Sequence, residues 1–225
     1  MSEDHLDKHR GMIVGRAVVA GAVSLLPVPV LDELLAGAVR ETLLRRIAEL
    51  RRVDVDDAAI ALLADVSGGD LLRLAIDASA AALMWKSAWR RATSTLRVAR
   101  RADEFAATFA LATLFDHYCA RHHLGMGIDL ARARQLRAAI DGAVAGARKG
   151  LVRRAVRSST ALITGVPRAL LHAVRPPPDA ALEVVVEKSA RGRTIHRAAA
   201  LLESPARLWG EALARAFDAD WKRGG

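Results

Sequence analysis

With 225 residues, 52% of them hydrophobic, the chain holds enough apolar material for one large domain or a domain with an appendage, which excludes a disordered polymer. Aromatic residues make up only 4%, and alanine and leucine fill most apolar positions, a composition that favours closely packed helices over strands. The net charge of +9 is uneven: residues 1–83 carry 9 Lys and Arg against 13 Asp and Glu, and residues 84–225 carry 25 against 12. The basic later part would attract phosphate of either kind, lipid or nucleic acid. A GC-rich genome, which favours arginine and alanine, would produce the same bias without any anionic partner.

The start, Met1 to Arg10, is polar and carries Glu3, Asp4 and Asp7, unlike a secretory signal, so residues 1–10 read as a polar tail. Cys119 is the single cysteine, which excludes an intrachain disulfide, and a cytoplasmic setting is expected, with attachment to the inner face of the membrane as a variant. From Ala17 to Leu31 no residue is charged, but the stretch is shorter than the roughly 20 residues of a spanning helix. Pro27 and Pro29 interrupt it. The spacing predicts a helix over about 11–26, a turn at Leu26–Val30 and a second helix over about 31–52. Leu31, Leu34, Leu35, Ala38, Val39, Leu43, Ile47 and Leu50 form the apolar stripe of that second arm, with Arg40, Glu41, Arg45 and Glu49 across from it.

Asp54, Asp56 and Asp57 precede a helix at 58–66, Ser67-Gly68-Gly69 breaks the chain, and a helix follows over 70–101. Further helices are predicted at 103–124, ended by Gly125 and Gly127, and at 130–164, capped by Asp129. A short helix at 168–174 leads to the stiff linker Pro176-Pro177-Pro178. Helices at 179–190, 194–203 and 205–221 then form the C-terminal segment, the last opened by Ser204-Pro205. The fold expected is all-α: a helical bundle over 11–175 around an N-terminal apolar proline-turn hairpin, with a helical appendage, 179–225, packed on it.

Four groups of residues are candidates for function. Leu25, Leu26, Val28 and Val30 at the hairpin apex would suit a bilayer or an apolar partner protein, or a buried place in the bundle. Trp85, Lys86, Trp89, Arg90 and Arg91 resemble a helix lying at an anionic lipid interface, although nucleic acid would be drawn by the same charge. Gly142, Gly146 and Gly150 repeat every fourth residue. Each costs about 0.8–1.0 kcal/mol against alanine in a helix, so the stripe is expected to admit a close helix neighbour. The fourth group, Asp116, Cys119, His122 and His123, combines a carboxylate, a thiol and imidazoles. At helical pitch Asp116, Cys119 and His123 share the side of Phe105, Phe109 and Ala112, with His122 close by and His117 pointing away. These are ligand types for a divalent metal, and a cysteine nucleophile with His123 and Asp116 is the weaker chemical alternative. A buried polar cluster with no cofactor is the plainest reading of the same residues.

The segment GRAVVAGAVSLLPVPVLDELLAGAVRETLLRRIAEL, Gly15 to Leu50, resembles the apolar hairpin of EcsC-type proteins and of the helical domain attached to some bacterial GTPases. Pro27, Pro29, Asp32 and the stretch Arg40–Arg46 carry the resemblance, which covers about a sixth of the chain. It implies a helical, membrane-peripheral protein without established chemistry, and no GTPase phosphate loop accompanies it. No catalytic motif stands out. A non-enzymatic protein acting on a membrane face or a protein partner is therefore the leading expectation, with a helical metalloprotein or enzyme second and a nucleic-acid binder third.

Overall fold

The computed structural model describes residues 4–23, 29–65, 94–125, 127–147 and 193–224. Six helices and no strand are found among them: α1 (Asp4–Val23), α2 (Pro29–Arg51), α3 (Asp57–Ala64), α4 (Ser94–Arg121), α5 (Leu130–Ala147) and α6 (Arg193–Gly224). The fold is an all-α bundle, as composition demands. Among the described residues no helix is long and apolar enough to cross a membrane.

Helix α4 is the axis. Every residue from Thr108 to Cys119 is buried, because α1, α2 and α6 all pack against it, with α5 touching it more lightly. A helix enclosed on all sides must be apolar all round or satisfy its polar groups internally. Most of this stretch obeys the first condition through Phe109, Leu111, Leu114 and Phe115. Asp116 and His117 obey the second.

The surrounding helices each offer one stripe. On α2 Val39, Leu43 and Ile47 are buried while Glu41 and Arg45 pair on the other side at 2.9 Å. Helix α5 buries Ala133, Leu136, Ile140 and Ala143, and α6 buries Ala206, Trp209, Leu213 and Phe217, both at three- and four-residue intervals. Helix ends are set by local chemistry. Asp129 caps α5 by accepting from the Arg132 amide at 2.7 Å. Beyond α4 the chain turns through Gly125 at φ +84, a conformation other residues seldom adopt. A short parallel bridge, Val55 to Ile128, then ties the α2–α3 loop to the α4–α5 loop.

Three boundaries differ from the spacing-based expectation. Helix α1 begins at Asp4, so most of the polar start is helical. Its polar residues suit a helix that lies against the polar end of α4. Helix α4 runs unbroken past Asp103, since an acidic residue that favours a helix start is also tolerated on a helix face. Helix α6 continues through Ser204-Pro205. Proline forfeits one backbone bond there, but Ala206, Trp209, Leu213 and Phe217 extend the same apolar phase as Leu202.

In the glycine stripe, a Cβ at Gly142 would stand 3.1 Å from the Asp220 carboxylate, so α6 does come close at that point. Gly146 has no such neighbour, and Gly150 lies outside the described residues. So do the side chains of Leu25, Leu26, Val28 and Val30, the segment with Trp85, Lys86, Trp89, Arg90 and Arg91, and the linker 176–178.

Candidate functional site

Polar side chains converge where the start of α1, the end of α2, the last turns of α4 and the last turns of α6 meet. Two linked clusters form there. The deeper one centres on Asp116, which is fully buried. Arg51 grips both of its oxygens, Nε to Oδ1 and Nη2 to Oδ2, each at 2.7 Å. His9 adds a contact from Nδ1 to Oδ1 at 2.9 Å. A carboxylate can only accept, so the His9 proton sits on Nδ1, leaving its buried Nε2 without a partner among the described residues. The hydrogen bond to Asp116 raises the Arg51 pKa above its ordinary value, against the opposing effect of burial.

The shallower cluster comprises His117, His122, Asp218 and His5. Nε2 of His117 and Nε2 of His122 both lie 2.8 Å from Asp218 Oδ1. Nδ1 of His117 faces His5 Nε2 at 3.0 Å. Since Asp218 accepts, both Nε2 atoms carry protons as hydrogen-bonded here, and a neutral His117 then accepts from His5. His117 is buried, whereas His122 and Asp218 keep 20% and 29% of their side chains exposed, so one side of the cluster opens to solvent. Phe217 lies under both histidines, and Trp221 and Tyr118 flank His122. Arg132 donates to the Tyr118 hydroxyl at 3.0 Å and lies over the Trp221 ring.

Burial, the neighbouring His117 and the cations Arg51 and Arg121 hold the His5 pKa below 6.5. Burial does the same for His117, with Asp218 opposing it. Burial works against the Asp218 carboxylate, but the hydrogen bonds from His117 and His122 together outweigh it and lower its pKa. Below about pH 6.5 the unfolded chain takes up protons that the folded His5 and His117 refuse, so stability falls as pH drops. The Asp218 contribution survives until the pH falls below 3.8 and is lost beneath it. Chelator-treated protein should therefore unfold at lower urea concentration at pH 5.5 than at pH 7.5. A midpoint that stays put or rises on acidification contradicts this.

Among the described residues, His117, His122 and Asp218 are the set that could hold a metal ion, with one donor atom from each and all three within 4.8 Å of one another. Of the four residues singled out by spacing, His122 belongs to it. Asp116 is committed to Arg51 and His9. Cys119 is buried, and burial together with the charge of Asp116 pushes its thiol pKa far up, which works against a nucleophilic thiolate. His123 is half-buried and outside the cluster. His117, expected to point away, has no outward side to point to, since α1 and α6 wall the end of α4.

An all-α bundle with a histidine–carboxylate junction of four helices is the class that fold and site define. No family model matches the chain, and neither a curated protein nor a solved structure is similar to it.

Proposed function

We propose that the chain is a helical metal-binding protein whose centre is His117, His122 and Asp218. The observation that carries this reading is the convergence of two imidazole nitrogens and one carboxylate oxygen within 4.8 Å. Two nitrogens and an oxygen suit a divalent transition ion such as zinc, whereas calcium and magnesium prefer oxygen alone. An ion bound there would replace the two Nε2 protons as the partner of Asp218. It would also join the end of α4 to α6, because His117 lies in α4, His122 directly follows its last residue, and the carboxylate comes from α6. With three protein donors and a solvent-facing side, the ion keeps room for a further ligand.

Zinc or cobalt added to chelator-treated protein tests the reading. One ion per chain is expected, with the visible absorption of cobalt coordinated by nitrogen and oxygen. Asp218→Ala and His117→Ala should abolish the spectrum, and Cys119→Ala should leave it unchanged. Protein that takes up neither ion, or an Asp218→Ala variant that binds as the parent does, rules this centre out.

A further inference from the structure

We infer that His5 is a positioning residue for this metal centre, accepting the Nδ1 proton of His117 and thereby committing His117 Nε2 to the ion. The inference rests on the metal-binding reading above and concerns a residue outside the ligand set.

The geometry that carries it is a closed ring of contacts. His5 Nε2 stands 3.0 Å from His117 Nδ1, with ring centroids 5.2 Å apart. The backbone of His5 is itself held, its carbonyl accepting from Arg51 Nη2 at 2.9 Å. Arg51 is fixed in turn by its fork on Asp116, the residue immediately before His117. The ring therefore leaves α4 at Asp116, passes through the end of α2 and the start of α1, and returns to α4 at His117. Neither ring nitrogen of His117 is left to solvent: one faces His5 and the other faces the centre.

A histidine that ligates through one nitrogen needs a partner for the proton on the other, and that partner sets both ring orientation and ligand basicity. A carboxylate or carbonyl commonly fills this role, and His5 is the group placed to fill it here. The exchange balances without net proton release. His117 loses its Nε2 proton to solvent as the ion binds and receives the Nε2 proton of His5 on Nδ1. His5 takes a proton from solvent on its own Nδ1 and becomes the acceptor.

The test uses the full chain, with zinc affinity measured by competition against a chromophoric chelator. His5→Ala should weaken zinc binding about 10–100-fold, the usual consequence of removing such an outer partner. Helical circular dichroism should be unchanged. His5→Gln, whose amide oxygen can accept from His117 Nδ1, should recover most of the loss. Zinc binding by His5→Ala within twofold of the parent overturns the inference while leaving the metal centre standing. Equal weakening in both variants, accompanied by loss of helix, overturns it in favour of a purely structural contact. A parent chain that binds no zinc overturns both.

Discussion

Replacing Arg51 by alanine is expected to destabilise the fold by about 3–5 kcal/mol, the cost of leaving a buried charge without its partner. Asp116 is fully buried on the central helix and cannot turn to water. Its two oxygens take both short bonds from Arg51, and among the described residues only Oδ1 has a second partner, His9. The loss is asymmetric. Arg51 keeps 14% of its side chain exposed, so when Asp116 is removed the guanidinium has a path to solvent. Asp116→Asn should therefore cost less than Arg51→Ala, because the amide stays the same shape and carries no charge to strand. Urea unfolding of the two variants decides it. A loss below about 1 kcal/mol for Arg51→Ala would place this pair among surface ion pairs of little consequence.

The same residues show what sequence alone could and could not reveal. Alanine and leucine content made the helical class legible, and the stripe Val39, Leu43, Ile47 identified the inner face of α2. The Asp129 cap was readable because a cap is a local event. The candidate site was not. Helical arithmetic compares residues on one helix, whereas His5 meets His117 across 112 positions and His122 meets Asp218 across 96. Nor do His117 and His122 share a helical face, being five residues apart. They converge because α4 loosens at its end, where the amides of His122 and His123 both bond to the Tyr118 carbonyl. One signal was available. His5 and His9 stand one helical turn apart in a segment otherwise read as tail, and two imidazoles at that spacing argue for an ordered start.

Truncating Phe217 to alanine should cost about 3–5 kcal/mol, and the loss should be concentrated at one end of the molecule. The ring is fully buried on α6. It meets His117 edge-on at 6.1 Å, tilts against His122 at 5.9 Å and stacks on Trp221 at 5.5 Å. An alanine methyl cannot fill the space between α4 and the last turns of α6, and removing the ring also frees the two histidines to move. Asp218 is the next residue, so the helix end that loses its anchor is the one that delivers the carboxylate to the centre. Amide hydrogen exchange should show α6 losing protection before α2 and α3, since α2 packs on α4 away from α6 and α3 packs on α2 and α5. Zinc affinity should fall in the same variant without any ligand having been changed. Phe217→Leu, which keeps an apolar body in the gap, should retain most of both. Uniform loss of protection across all helices would instead mean that the C-terminal helix and the bundle unfold as one unit. The ion could then not act as a local staple between α4 and α6, and its binding would be coupled to folding of the whole chain.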